Sequence, residues 1–423
     1  MTRTRRVRRT SPTTRGVSVT AIGIAMLVAG IGYANTVLTR VGVGVVVVSC
    51  AGLVWVLVAA WILRRGFPHS QRHLHPHPLS VGTPATVTVS LTSTPGSVSV
   101  LRHAVVQALE VHEQAAAEIT GPGPTRATIT RGVKELGLTY TITPTRRGRW
   151  PLGPTLVTSH DPWGLWWNDT VVDGAEQVAV WPEVWDIASA VSPLMGEADR
   201  VVLGSRSPSP DDAALREYDA GDDLRRVHWP SSARRGHLVV RSDERAGRRP
   251  VTVLLHEVQD PEVFEWSVSM AASVALSCAV GGNPVRLLAG DPRTARLSHH
   301  DASAWGTTRA LLLDSTVDLA PVPTAVGTAH LEQWGRALRH DVVRGEAIIA
   351  VLDPLDDATV AALAPLASTG RAFALVRTPA TADPATPHRT PQLLRQAGWF
   401  VSAATVADNP RAAWLRTVEG APS

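Results

Sequence analysis

Cysteine is nearly missing from this chain, with two in 423 residues. Cys50 lies inside an apolar span and Cys278 inside an apolar helical pattern, so the pair is not expected to meet in a disulfide. Disulfide scaffolds and cysteine–zinc folds are excluded, and a reducing compartment fits. Charge of one sign is also scarce. A net charge of +4, with 18% charged and 44% hydrophobic residues, excludes a disordered acidic chain and a globally basic nucleic-acid coat. Arginine dominates the bases, and part of the surplus is one N-terminal cluster. The length exceeds one ordinary core and predicts two or three domains.

Charge is wholly absent from Gly16 to Asn35 and from Val41 to Leu63, the second span carrying Trp55 and Trp61 toward its far end. Each reaches the roughly 20 apolar residues that cross a hydrocarbon core. The short connector ending at Arg40 predicts an antiparallel hairpin. Arg3, Arg5, Arg6, Arg8, Arg9 and Arg15 before the first span, with Arg64 and Arg65 after the second, outweigh Arg40. The positive-inside bias therefore predicts a two-span cell-membrane protein with both termini and all later domains in the cytoplasm. A signal peptide fits less well, because the second span follows at once and no small-residue cleavage site separates the two. Buried soluble helices would show a polar face that neither span has.

The reading divides the chain into a basic cytosolic tail (1–15), two transmembrane helices (16–65), a linker (66–79), a β-sandwich-like domain (80–187), a second linker (188–214), an arginine-rich segment (215–249) and an α/β domain (250–423). The fold class is a membrane-anchored α+β multidomain protein: a two-helix hairpin, an antiparallel β-sandwich and a Rossmann-type α/β domain. The first linker carries His69, His73, His75 and His77 among prolines, read as a solvated, extended spacer rather than a metal site. Strands are predicted at 85–91, 98–101, 104–111, 127–130 and 138–143 from alternation and β-branched residues. Six of the fourteen tryptophans fall between Trp150 and Trp185. They are read as core filler, with Asp161-Pro162-Trp163-Gly164 as a turn whose indole folds back onto the sheet, rather than as a stacking platform. Beyond Pro250, apolar strand patterns alternate with helical ones, which implies a parallel sheet wrapped on both faces, binding at its carboxyl edge.

The densest stretch is Leu215 to Arg241, LREYDAGDDLRRVHWPSSARRGHLVVR. Asp222 and Asp223 suit a helix start, Trp229-Pro230 predicts a break, Gly236 a C-cap, and Leu238 to Val240 a strand. Three uses are open to it. Asp222, Asp223 and His228 are metal-ligand types that a hydrolase could use, but no second acidic cluster accompanies them. Nine arginines from Arg216 to Arg249 suit phosphate or nucleic acid, yet Glu217, Asp219, Asp222, Asp223, Asp243 and Glu244 balance them, so nucleic acid is not expected. A docking surface or inter-domain clamp fits that balance, with guanidinium–carboxylate pairs and Trp229 as an apolar anchor.

With Arg147-Gly148-Arg149 and Asp161-Pro162-Trp163-Gly164-Leu165 upstream, this stretch resembles the signature of the domain-of-unknown-function fifty-eight family. Arg216, Tyr218, Gly221, Asp222, Asp223, Arg226, His228, Trp229, Ser232, Ala233, Arg234, Leu238 and Arg241 stand at matching places. The resemblance implies a membrane-anchored bacterial protein with a von Willebrand factor A-like C-terminal domain. It also implies the company of a MoxR-type AAA+ ATPase and, in many cases, a transglutaminase-like membrane protein, and no established reaction. One departure is clear. Such domains often hold a cation on an Asp-x-Ser-x-Ser loop, whereas here the first strand is followed by His256-Glu257-Val258-Gln259-Asp260, without the leading aspartate or either hydroxyl. No metal or other cofactor is expected. The expected function is a membrane-anchored scaffold that docks the ATPase and assists assembly or maturation of envelope proteins; the alternative is a metal-dependent hydrolase on Asp222, Asp223 and His228.

Overall fold

Small and β-branched residues without charge dominate the first spans, and they form two long helices: α1 (Thr14–Gly32) and α2 (Thr36–Gly66). The computed structural model describes residues 10–66, 69–92, 109–121, 127–131, 135–187, 215–217, 229, 232–233, 237, 239–241, 249–294, 298–300, 305–342, 345–368, 370–378 and 389–419. The Thr13 hydroxyl caps α1 by accepting from Gly16 N, and Asn35 Oδ1 caps α2 by accepting from Val37 N and Leu38 N. The helices pack backbone to backbone: a Cβ on Gly30 would lie 2.5 Å from Thr39 N, and one on Gly42 2.5 Å from Leu27 N. Thr20 and Ser49 share a hydroxyl–hydroxyl bond of 2.6 Å between them. Their outward faces expose Ile22, Val28, Ile31, Val41 and Val47.

The chain divides into two units, residues 1–181 and 182–423. In the first, β1 (Thr10–Pro12), just before α1, pairs antiparallel with β9 (Trp166–Asp173), far beyond α2. The strand that leads into the hairpin is thus closed into its sheet by one made long after α2. That sheet also holds β3 (Leu79–Ser80), β5 (Leu109–Ala115), β8 (Gly148–His160) and β10 (Glu176–Trp181), in the order β1-β9-β8-β10-β3 with β5 also paired to β8. A second, antiparallel sheet runs β2-β4-β7-β6, from β2 (His69–His75), β4 (Ala85–Thr92), β6 (Ala127–Arg131) and β7 (Glu135–Ile142). Alternate residues of both sheets meet in one core: Val87, Val89, Leu138 and Ile142 from one, Leu109, Leu152, Val157 and Val180 from the other. Ile119, on the helical turn α3 (Ala117–Thr120), and Ala59 and Leu63 of α2 complete it.

Two expectations change here. The histidine-rich stretch is an edge strand rather than a spacer, pairing with β4 from His69↔Thr92 to His75↔Thr86. Alternation explains it: Arg72 and Leu74 turn inward while His73 and His75 stay exposed. Arg72 is held by Glu113, its Nε donating to Oε1 at 2.8 Å, with Asp173 3.1 Å from Nη2. The Trp163 indole does not fold back onto the sheet; it is 47% exposed. The strand predicted at 98–101 and most of that at 104–111 lie outside the described residues.

In the second unit five parallel strands, β13 (Val251–Leu255), β14 (Val285–Leu288), β15 (Ala347–Leu352), β16 (Arg371–Arg377) and β17 (Phe400–Ala404), stand in the order β14-β13-β15-β16-β17. β13 and β15 are buried along their whole length and β16 along all but its ends, as a covered parallel sheet requires. Helices α4 (Pro261–Val280), α5 (Trp305–Val317), α6 (Thr324–Asp341), α7 (Asp357–Leu363), α8 (Arg389–Gln396) and α9 (Pro410–Glu419) surround it. The last was not foreseen from the sequence. Among the described residues three helices are long and apolar enough to cross a membrane, but they differ in use. In its most apolar window α4 is 83% buried, whereas α1 and α2 are 17% and 22% buried. So α4 is a core helix, and the lipid-ready surface belongs to α1 and α2.

Candidate functional site

The arginine-rich stretch is bracketed by a two-stranded ribbon, β11 (Leu215–Glu217) and β12 (Val239–Arg241), with Leu215 opposite Arg241 and Arg216 opposite Val240. The two ends of the signature, Arg216 and Arg241, are therefore brought together. Trp229, Ser232 and Ala233 are helical. Ser232 is buried, while Trp229 is 64% exposed. Tyr218, Gly221, Asp222, Asp223, Arg226, His228 and Arg234 lie outside the described residues.

In the sheet of the second unit, β14 lies on one side of β13 and β15 on the other, so the order reverses between β13 and β15. Sheets of this kind bind at the carboxyl edge beside such a reversal. The segment after β13 supplies His256, Glu257 and Asp260, and the segment after β15 supplies Asp353 and Asp356. His256 is buried, and its Nδ1 accepts from Asp353 N at 3.3 Å. That bond assigns the ring proton to Nε2, which is buried and has no hydrogen-bond partner among the described residues. Burial pushes the His256 pKa down to about 4, against the opposing pull of Asp353, so the ring is neutral at pH 7.

The charges around it are paired. Glu257 Oε2 lies 2.7 Å from His330 Nδ1 on α6, and Asp353 Oδ1 accepts from Arg377 Nε at the end of β16. The α6 backbone crowds this loop so closely that a Cβ on Gly327 would sit 2.0 Å from Glu257 O. Asp260 is spent as the cap of α4, accepting from Glu262 N and Val263 N, and Asp356 caps α7 by accepting from Thr359 N. Among the described residues no three His, Cys, Asp or Glu side chains are grouped to hold a metal. Chemically the crevice is a set of charge pairs around a neutral imidazole.

The opposite edge of the sheet holds a network that the sequence reading missed. Arg286, inside β14, is buried and donates from Nε to Thr252 Oγ1 at 2.6 Å and from Nη2 to Glu346 Oε1 at 3.1 Å. His299 Nε2 is 3.0 Å from that same Glu346 oxygen, and Asp341 pairs with Arg286 Nη1. The available signal was one charge in an apolar strand, Val285-Arg286-Leu287-Leu288, since a guanidinium buried there needs a carboxylate. Val285 also forms an antiparallel bridge with His300 on the outer edge of β14.

No curated protein and no solved structure matches the chain. A family model does match, over the ribbon, β13, α4, β14 and the His300 bridge. It covers residues 214–304, its family is described as protein of unknown function DUF58, and the match supports the DUF58 family for this chain.

Proposed function

We propose that this chain is a membrane-anchored scaffold whose arginine-rich segment docks a MoxR-type AAA+ ATPase and assists assembly or maturation of envelope proteins, a transglutaminase-like membrane protein among the candidate clients. The exposure of Trp229 carries the reading. A 64% exposed tryptophan in a charge-balanced segment is a ready anchor for a partner, and it favours a docking surface over a buried clamp. In this reading α1 and α2 are the two spans, and the flanking arginines put both termini and all later domains in the cytoplasm. The shared core of the two sheets of the first unit supports a β-sandwich, and the parallel sheet with helices around it supports a von Willebrand A-like domain. The hydrolase alternative rests on Asp222, Asp223 and His228, which lie outside the described residues.

The test is a pull-down from membranes with the full-length chain and its Asp223→Ala/Arg226→Ala variant, read by mass spectrometry beside a thermal melt. A folded variant that selectively loses an ATPase supports docking. A variant that keeps every partner but melts much lower returns the segment to a clamp.

A further inference from the structure

The hairpin and the β-rich part of the first unit are joined without slack. Thr13 N donates to Leu165 O at 2.8 Å, and the Thr13 hydroxyl donates to Gly164 O at 2.8 Å. A Cβ on Gly16 would lie 2.0 Å from Leu165 O, and one on Gly52 3.0 Å from Asp161 Oδ2. Trp166 Nε1 donates to Ser49 Oγ at 3.3 Å. The turn from Asp161 to Leu165 is therefore wedged between the first turn of α1 and the middle of α2, and Gly16 and Gly52 mark its level on the two helices.

Lengths then constrain the membrane. From Gly16 to Gly32, and again from Thr36 to Gly52, each helix rises about 24 Å at about 1.5 Å per residue. A hydrocarbon core is about 30 Å thick. The free part of the hairpin is too short to cross it alone. The helix α2 continues past Gly52 with two unlike faces: Val56, Ala59 and Leu63 are buried, the last two in the core of the sheets, while Val54, Leu57, Val58 and Trp61 stay exposed. The exposed set recurs at three- and four-residue intervals, which makes a single apolar stripe. It continues the outward apolar surface of α2, and Arg64 and Arg65 follow it in sequence. Beside Gly52, the wedged turn presents Trp163, and tryptophan is the residue that favours the boundary between headgroups and acyl chains.

We infer that the bilayer extends along α2 past Gly52 and that the Asp161–Leu165 turn, led by Trp163, is inserted in the membrane interface. The occupant of this apolar surface is lipid, continuous with the lipid around the hairpin. The β-rich part of the first unit is thus seated in the membrane surface rather than held away from it on a tether.

The inference rests on the membrane-anchor reading, and the experiment separates the two. The full-length chain, with Cys50→Ala and Cys278→Ala, is reconstituted into phosphatidylcholine–phosphatidylglycerol vesicles carrying one nitroxide at Trp163→Cys, Leu57→Cys or Arg146→Cys. Collision with oxygen, which concentrates in lipid, is compared with collision with a water-soluble nickel chelate. The expected result is an oxygen-to-chelate ratio severalfold higher at positions 57 and 163 than at exposed Arg146, beyond the other end of β8. A ratio at either position equal to that at 146 overturns the inference. If Trp163→Cys does not fold, Leu57→Cys decides. A chain that never enters the vesicles overturns the anchor reading itself.

Discussion

The Asp161 carboxylate lies against the bare Cα of Gly52, where an added Cβ would come within 3.0 Å of Oδ2. The same carboxylate accepts from Trp163 N at 3.0 Å and Trp166 N at 2.5 Å, so one side chain shapes the turn and meets the helix. Gly52→Val therefore crowds a contact that cannot retreat, at about 1–3 kcal/mol. Asp161→Ala leaves two amide donors without their acceptor, at about 1–3 kcal/mol. Thermal unfolding of both full-length variants in one detergent measures each loss. An unchanged melt for Gly52→Val means the helix and turn do not pack this closely.

Arg72 and Glu113 form a buried pair whose side chains are 4% and 3% exposed. Tyr140 Oη donates to the second Glu113 oxygen at 2.5 Å, and burial, reinforced by Glu113, raises the phenol pKa above its ordinary value. Arg72→Ala strands the carboxylate and is expected to destabilise by about 3–5 kcal/mol. An Arg72→Met/Glu113→Leu double variant is expected to recover much of that. Urea unfolding of the single and double variants decides, and equal losses contradict the pairing.

His256 gives a pH dependence with a definite sign. Its folded pKa of about 4 lies below the ordinary 6.5, so between those values the unfolded chain binds the extra proton. Its contribution is fully present above pH 6.5 and is lost as pH falls through that window to 4, on the order of 3 kcal/mol in all. His256→Asn keeps an acceptor for Asp353 N but does not titrate. Urea midpoints from pH 8 to 4 should fall less steeply for the variant, and parallel curves would remove His256 as the cause.

Trp229→Ala should leave the melt unchanged, because the side chain is 64% exposed. If it anchors a partner, binding weakens by about 2 kcal/mol or more, roughly thirtyfold. Titration of the full-length chain with the ATPase recovered by pull-down gives the number, and unaltered affinity moves the docking site elsewhere.

Much of this architecture was legible from pattern alone. Ala347 to Leu352 is apolar throughout and Val251 to Leu255 nearly so, at strand length and rich in β-branched residues, the pattern of a strand covered on both faces. The uncharged spans marked α1 and α2 equally well, because length and absence of charge are local properties. The histidine-rich strand was misread because its Pro76 and Pro78 suggest a spacer, while the Glu113 carboxylate that holds its Arg72 lies 41 residues away. Trp163 was misread in the same way: composition favours a buried indole, and only the wedge between two helices turns it outward. In the candidate crevice, His256 and Glu257 were visible only as a failed cation loop. Their partners Asp353 and His330 come from distant elements, and sequence spacing carries no trace of such meetings.

The pairing of β1 with β9 also sets an order of manufacture. Thr10 meets Asn168 across 158 positions, its hydroxyl accepting from the Asn168 side-chain amide at 2.7 Å. Synthesis runs from the N-terminus, so residues 10–12 are made long before their partner strand exists. The strand that leads into α1 therefore waits unpaired, and the sheet closes over it only after the ribosome has passed residue 168.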